Sequence, residues 1–280
     1  MRALFLIPGD ELSQIRALPA AATVARALGF SLQVACSPAV MALWKLLPEV
    51  EKLIPFDFAN ATLADWANLL GSVREPDFQV CINLAEGRQV DLMLSMSHIP
   101  TRIAARGFSA TEMVVPIRGG WPCQQLEPWL RAIGVSLDAD SFRLSLPPEA
   151  LRQAREQLPD GEGPLLLLAP AGVPGDWPES RWQELPQRIR TSLPDLRSLQ
   201  VGPVRAATAL RRAALVAVSD VVLASDPFTE ELALLCGVPL VALGREDETL
   251  PQREGVKGLT TRAGLDALTL EAVLAALGLA

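Results

Sequence analysis

A carboxylate stands at the end of the first apolar segment of the chain, where a strand would turn into a helix. The apolar run 3–8 is followed by Gly9, which permits a tight turn, and then by Asp10. An aspartate at this point can cap the helix by accepting backbone N–H bonds, or it can face a cleft as a catalytic carboxylate. Position alone leaves both roles open.

A second candidate is the Gly- and Pro-rich loop 169–178, which follows four consecutive leucines at 165–168. It contains Ala171, Gly172 and Trp177, and it would lie at the carboxyl end of a buried strand, where ligands bind on parallel sheets. The segment has no G-x-G-x-x-G pattern and no P-loop lysine, so it is equally compatible with a plain loop.

The most informative segment is 219–244, which is predicted to form a strand, a polar turn, a helix and a second strand. Ser225 and Asp226 stand at the start of the helix, where free N–H groups and the helix dipole can bind a phosphate. The first turn also carries Glu230 and Glu231, which suit the dipole themselves and would repel a phosphate. Simple capping of the helix by Ser225 or Asp226 is the alternative.

Composition excludes several other kinds of site. The 280 residues include one histidine, His98, and no tyrosine, so a multi-histidine metal site cannot be built and a Ser-His-Asp triad would depend on His98. The four cysteines form no C-x-x-C pair, which predicts reduced structural thiols in a cytosolic protein. A net charge of −7 excludes a nucleic-acid binder that works through an overall basic surface. No stretch reaches the roughly 18 apolar residues that span a bilayer, although a hydrophobic content of 50% leaves room for peripheral membrane contact.

Short apolar runs alternate with longer amphipathic segments along the chain. Continuous Val, Ile and Leu runs are typical of parallel strands that helices cover on both faces. The pattern occurs in two blocks joined at the turn sequence 159–163, which predicts two doubly wound α/β domains, 1–160 and 161–280, with a ligand site in the cleft between them. The predicted strands are 3–8, 31–36, 53–56, 78–84 and 102–105 in the first block and 165–169, 196–201, 221–224 and 238–243 in the second.

Several segments resemble the ADP-heptose:lipopolysaccharide heptosyltransferase family, which is glycosyltransferase family 9. The opening strand with Gly9-Asp10 and the helix that contains Leu18-Pro19-Ala20-Ala21 resemble the amino-terminal signature of the family. Segment 77–84 is similar to its D-x-V-I-D-L strand, and 176–185 is similar to its K-x-W-P-x-x-x-W-x-x-L motif. Segment 219–244 is similar to its A-D-L-V-I-S-x-D-T/S-G-x-x-H-L-A-A-A-L-G-V-P motif. The resemblance extends over most of the chain.

This resemblance implies an α/β fold of GT-B type, with two Rossmann-like domains facing a cleft. It implies an inverting glycosyltransferase that needs no metal or other cofactor and takes a nucleotide sugar, ADP-linked, as its donor substrate. The acceptor would be lipopolysaccharide or another lipid-linked cell-envelope glycan, and the protein would be cytoplasmic, with peripheral contact at the inner membrane face. Asp10 matches the catalytic base of the family. The residues that would contact the donor are Gly9, Ala171, Gly172, Trp177, Ser225, Asp226, Thr229 and Glu231.

The chain also departs from the family pattern at the donor loops. Gly175 stands where the family carries a basic residue, Pro227-Phe228 replaces the Thr/Ser-Gly pair, and the family histidine falls at Glu231. These changes remove a cation, an N–H donor and a glycine from the diphosphate site and add negative charge. They leave an alternative function open, namely a catalytically inactive scaffold of the same fold that binds a protein partner. The cations that either compensate or lie on solvated surfaces are Arg205, Arg211, Arg212 and Arg245.

Overall fold

The computed structural model describes residues 1–74, 77–203 and 208–279. The chain divides into two compact units, Met1–Phe142 and Arg143–Ala280, and each contains its own parallel β-sheet with helices packed on it. None of the helices in the described ranges is long and apolar enough to cross a bilayer.

The described residues of the first unit form six strands and four α-helices. The strands are β1 (Arg2–Leu6), β2 (Ser31–Cys36), β3 (Val50–Pro55), β4 (Phe78–Asn83), β5 (Thr101–Ala104) and β6 (Glu112–Met113), and the helices are α1 (Glu11–Leu28), α2 (Leu63–Arg74), α3 (Arg88–Ser95) and α4 (Glu127–Arg131). All strand pairs are parallel, in the order β3-β2-β1-β4-β5-β6. The strand order reverses beside β1, so a ligand is expected at the carboxyl end of this strand.

The position of β1 follows from its sequence, because its apolar side chains are covered on both faces. Leu6 lies opposite Ala35 of β2 and Asn83 of β4, and Leu4 and Leu6 are fully buried in the core beneath α2 and α3. The chain therefore leaves the middle of the sheet at residues 7–10. Helix α1 begins directly afterwards and ends at Gly29, whose φ of 63° is the left-handed conformation that glycine adopts readily.

In the second unit, residues 143–203 and 208–279 form five strands and five α-helices. The strands are β7 (Leu165–Ala169), β8 (Arg197–Gln200), β9 (Val221–Ala224), β10 (Leu240–Leu243) and β11 (Val256–Leu259), and the helices are α5 (Pro148–Arg155), α6 (Glu179–Ser192), α7 (Ala209–Ala217), α8 (Pro227–Cys236) and α9 (Leu270–Ala276). The strands are again parallel, in the order β11-β10-β9-β7-β8. The order reverses between β7 and β9, which makes the loops after these two strands the expected ligand site of this unit.

The boundary between the compact units falls at Phe142/Arg143 rather than at the predicted 160/161. The reason is tertiary, because α5 packs on α7 through Ala154, Ala214 and Leu215. The backbone N–H of Leu144 also donates to the carbonyl of Leu235 at 2.9 Å. The segment before the turn sequence 159–163 therefore belongs to the second unit.

The predicted strands are all present, but the edge strands β6 and β11 were not predicted. β6 has only two residues, and β11 contains an exposed lysine and a glycine, so neither has the apolar run that the prediction relied on. The sequence pattern also predicts helices over 40–47 and 206–218. The first is a 3₁₀-helix at Pro38–Leu46. The second is described from Ala209 onward, and its first residues lie outside the described part of the chain, as does Arg205.

Candidate functional site

Asp10 lies at the carboxyl end of β1 and is the N-cap of α1, so the capping prediction is confirmed. Its Oδ1 accepts hydrogen bonds from the Ser13 backbone N–H at 3.0 Å and from the Ser13 hydroxyl at 2.9 Å. The bond from the Ser13 N–H holds the pKa of Asp10 below its ordinary value, and burial opposes this shift. The carboxylate is therefore ionised at neutral pH, and neither Ser13 bond uses Oδ2.

Gly9 has a φ of 99°, and a Cβ atom at this position would lie 2.5 Å from the Ser13 hydroxyl oxygen. Both the backbone conformation and the close approach require glycine here. Gly9 thereby allows the chain to turn sharply out of the sheet, so that Asp10 is exposed at the start of α1.

Two open pockets lie on either side of the Pro8-Gly9 turn. The first pocket has a volume of about 590 Å³, and residues that follow the carboxyl ends of β1, β2, β3 and β4 line it. The second pocket, of about 500 Å³, lies toward α4. The first is lined by Pro8, Gly9, Asp10, Glu11, Ser37, Ala39, Val40, Asp57, Phe58, Ala59, Trp66, Ala85 and Glu86, and the second mainly by Ser13, Arg16, Pro116, Ile117, Gln125, Leu126 and Trp129.

In the second unit, the loops after β7 and β9 are joined by a hydrogen bond. The Ala171 N–H donates to the Ser225 hydroxyl at 2.9 Å, so two of the predicted donor-binding segments meet at the reversal point of the sheet. Gly172 has a φ of 67°, and its N–H donates to Asp176 at 2.9 Å. Ala171, Gly172 and Ser225 are thus brought together, as segments that bind one ligand would have to be.

Helix α8 starts at Asp226, which caps it by accepting the Thr229 N–H at 3.0 Å. The Thr229 hydroxyl also donates to Asp226, and it accepts a bond from Arg212 Nη1 at 2.8 Å. Arg212 reaches the Gly202 carbonyl as well and is only 9% exposed. Burial lowers the pKa of this guanidinium, and the charge of Asp226 opposes the shift. Arg212 is therefore a buried cation under the start of α8, not a residue of a solvated helix face.

Glu230 and Glu231 are on the buried side of α8, with 2% and 0% of their surface exposed, and do not face solvent. Arg245, directly after β10, lies 3.5 Å from Glu230 and 3.2 Å from Glu231. Burial raises the pKa of Glu230 to about 8, although the charge of Arg245 lowers it. The expectation that these carboxylates would repel a phosphate is corrected, because they are turned into the protein and face their own cation.

Trp177 is a core residue. Its indole N–H donates to the Leu268 carbonyl at 2.8 Å, and its ring packs edge-on against Trp182 at a centroid distance of 5.1 Å. With 2% of Trp177 exposed, a donor could meet its backbone but not its ring. Both tryptophans lie in the core of the second unit. Phe228, which replaces the family glycine, is buried as well.

His98 is exposed, and its ring nitrogen lies 3.4 Å from the guanidinium of Arg74. The four cysteines are free thiols, three of them buried. Within residues 1–74, 77–203 and 208–279, no three His, Cys, Asp or Glu side chains are arranged to hold a metal ion.

The two parallel α/β units define the fold as GT-B type, as the sequence predicted. Solved structures give the comparison, and each of the following matches covers 99% of this chain. A glycosyl transferase of family 9 from Veillonella parvula has a TM-score of 0.78 at 15% identity over 96% of its own chain. The E. coli ADP-heptose lps heptosyltransferase II has a TM-score of 0.73 at 18% identity over 98% of its chain. E. coli heptosyltransferase WaaC, solved with ADP, has a TM-score of 0.73 at 14% identity over 99% of its chain.

The predicted resemblance to family 9 is therefore confirmed at the level of the fold. No protein-family model matches the sequence, and no curated protein matches it either. The structure adds two features that sequence reasoning missed. One is the wall of the first pocket, formed by Asp57, Phe58 and Trp66, whose only sequence signal is aromatic residues close after a strand. The other is the buried pairing of Arg245 with two glutamates.

Proposed function

We propose that this protein is a glycosyltransferase that moves a sugar from a nucleotide-sugar donor to a cell-envelope glycan. The observation that carries the proposal is the exposed, ionised Asp10 at the carboxyl end of β1, beside a pocket of about 590 Å³, in a chain with the fold of family 9 glycosyltransferases. A carboxylate in this setting can accept the proton of an acceptor hydroxyl. The sugar is heptose-like, by similarity to the heptosyltransferases.

In the proposed reaction, the acceptor oxygen forms a bond to the anomeric carbon while the bond from that carbon to the diphosphate breaks. The acceptor proton goes to the Asp10 carboxylate, and the diphosphate leaves with the electron pair of the broken bond. Attack from the face opposite the leaving group inverts the anomeric carbon. Within the chain this needs a base on one side of the sugar and stabilisation of the diphosphate on the other.

The donor site proposed here is at the reversal point of the second sheet. Gly172 and the linked residues Ala171 and Ser225 would approach the diphosphate, while Asp226 and Thr229 fix the start of α8. Arg212 supplies a positive charge under this helix start in place of the missing family lysine. An ADP-linked donor is proposed because ADP is bound in the solved E. coli heptosyltransferase WaaC. These contacts favour an active enzyme over the inactive scaffold.

We also propose a cytoplasmic location, with peripheral contact to an anionic membrane. The four free thiols suit a reducing compartment.

In the first unit, Phe108, Met113 and Val115 are 65–84% exposed. Arg106 and Arg118 lie in the same segment, where they could meet acidic headgroups. Flotation with vesicles of 30% phosphatidylglycerol tests this: wild type should float, whereas Met113→Glu/Val115→Glu should stay at the bottom.

The first test of the function is calorimetric titration with ADP, UDP and GDP, alone and as sugar conjugates. Micromolar binding of one nucleotide is expected and identifies the donor class. If the protein is folded and none of the three nucleotides binds, the proposal is overturned, and a catalytically inactive scaffold becomes the favoured function.

The second test is Asp10→Asn, measured with the donor that the titration identifies. Asparagine can still cap α1, so the fold and nucleotide affinity should stay within about twofold, whereas turnover should fall by roughly 10²–10⁴ because the base is lost. Ser13→Ala is the matched control, since it removes one of the two Ser13 bonds and keeps the carboxylate. Equal turnover in Asp10→Asn and wild type would end the assignment of Asp10 as the base.

A further inference from the structure

The first pocket has the lining of a sugar site, and its charge restricts which sugar it can hold. We infer that the acceptor unit entering this pocket is a neutral or amine-bearing sugar, without phosphate or carboxylate groups near the reacting hydroxyl. The inference rests on the proposed function, because it takes Asp10 at the pocket rim as the base. It goes beyond that function by naming the class of acceptor.

The charge of the lining is the first argument. Four carboxylates line the first pocket, those of Asp10, Glu11, Asp57 and Glu86, and none of the described lining residues is basic. Glu86 is paired with Arg106 at 2.6 Å, but the other three have no such partner within the lining. Arg16 lines the second pocket and not the first, and its positive charge is one of the minor causes that lower the pKa of Asp10. A bound anion would therefore add like charge next to three carboxylates.

The aromatic wall is the second argument, and it is independent of charge. Phe58 and Trp66 line the pocket, and both pack edge-on against Phe56, at centroid distances of 4.9 and 4.6 Å. Phe56 is 5% exposed, so it fixes the two rings from behind. A fixed aromatic face offers an apolar surface to the C–H face of a sugar ring, while carboxylate oxygens accept its hydroxyl or ammonium protons.

The location is the third argument. The wall comes from segment 56–66, which is the loop after β3 and the first turn of α2, while Asp10 and Glu11 stand where β1 turns into α1, so both sides of the pocket lie at the carboxyl edge of the sheet. Segment 56–66 contains Asp57 and Asp65 and no lysine or arginine. A sugar stacked on the wall would thus share the pocket with Asp10, the proposed base for its hydroxyl.

The test uses pairs of ligands that differ only in charge. Methyl glycosides of mannose, glucose and glucosamine are compared with their 6-phosphates, in the presence of the nucleotide that binds best. The readout is the fluorine NMR signal of 5-fluorotryptophan-labelled protein, with the Trp66 resonance assigned by Trp66→Phe. At least one uncharged or amino sugar should shift this resonance, with a Kd at least tenfold below that of its 6-phosphate, because the phosphate adds nearly two negative charges.

Removing negative charge from the first pocket should reduce its preference for uncharged or amino sugars over their 6-phosphates. Glu11→Gln/Asp57→Asn should raise the affinity for the 6-phosphates at least threefold, whereas Glu51→Gln, at an exposed site on β3 outside the pocket, should leave it unchanged. If the 6-phosphates bind as well as the parent sugars, or if no sugar moves the Trp66 signal, the inference is overturned. Absence of nucleotide binding in the same samples would instead count against the proposed function, so the two failures are distinguishable.

Discussion

Replacing Arg245 with methionine should show how much its buried pairing with Glu230 and Glu231 of α8 contributes to stability. Arg245 is the cation that faces both Glu230 and Glu231, and its own side chain is 12% exposed. Removing one partner of a buried ion pair leaves an uncompensated charge and costs roughly 3–5 kcal/mol. We therefore expect Arg245→Met to lose about 3 kcal/mol of unfolding free energy at pH 8. With a urea m-value of about 2 kcal/mol/M, the midpoint should fall by about 1.5 M.

The unfolding free energy lost in Arg245→Met should be larger at pH 8 than at pH 5. Since burial raises the pKa of Glu230 from 4.5 to about 8, the folded protein holds a proton that the unfolded chain releases between these values. The stability contributed by this proton is fully present below about pH 4.5 and is lost as the pH rises through 8. Because the charge of Arg245 lowers the pKa of Glu230, removing Arg245 lets the folded protein keep this proton to higher pH, so the cost of Arg245→Met should be smaller at pH 5 than at pH 8.

The assay is urea unfolding followed by tryptophan fluorescence, since Trp177 and Trp182 report on the same unit. Arg152→Met is the matched control, because Arg152 pairs with Glu149 where both side chains are about 60% exposed, and such a pair contributes at most about 1 kcal/mol. An Arg245→Met cost no larger than that of Arg152→Met would refute the reasoning, and so would a cost that is the same at pH 5 and pH 8. Adding Glu231→Gln to Arg245→Met should recover part of the loss.

Three further outcomes test other parts of the structure. Asp10→Ala should lose about 1 kcal/mol of unfolding free energy relative to Asp10→Asn, because alanine cannot cap α1; equal urea midpoints would contradict the cap. Gly9→Ala should lower the unfolding free energy by more than about 1 kcal/mol, because Gly9 has a positive φ and lies close to the Ser13 hydroxyl. Gly71→Ala, in open space within α2, should instead raise it by up to about 1 kcal/mol. A change of the same sign in both variants would argue against strain at Gly9. Burial raises the pKa of both Cys36 and Cys236 to about 12, so neither should react with an aromatic disulfide reagent at pH 8 until urea unfolds the chain, and rapid labelling of the folded protein would disprove this.

The fold was largely predictable from the sequence, because its signals are local. Continuous apolar runs such as 165–168 read directly as buried parallel strands, and Gly29 and Gly237 mark the ends of α1 and α8. The edge strands β6 and β11 lack that signal, since one side of each is unpaired and their residues can be polar, and they were missed for this reason. The domain boundary also needed tertiary contacts, because the turn sequence 159–163 is a connection inside the second unit.

The candidate site was predictable only in part. The sequence predicted that Asp10 would either cap a helix or face a cleft, and it indicated Ala171 and Ser225 as donor-binding residues. The structure shows Asp10 capping α1 beside a pocket and Ala171 bonded to Ser225, because strand ends on a parallel sheet converge at one edge. The sequence could not indicate which way a charged side chain points. Glu230 and Glu231 have the sequence position of residues that face a phosphate, yet both are buried.

What the sequence determined by itself was therefore the succession of strands and helices, the caps that start the helices, and the edge of each sheet where a ligand would lie. Tertiary structure decided the charge that each site presents. Arg245 lies 14 residues beyond Glu231 in the chain, and only the packing of β10 beside β9 brings the two together. The aromatic wall and Asp10 likewise come from different strand ends. Charge and shape at a site depend on which distant segments pack there, and no local pattern in the sequence records that packing.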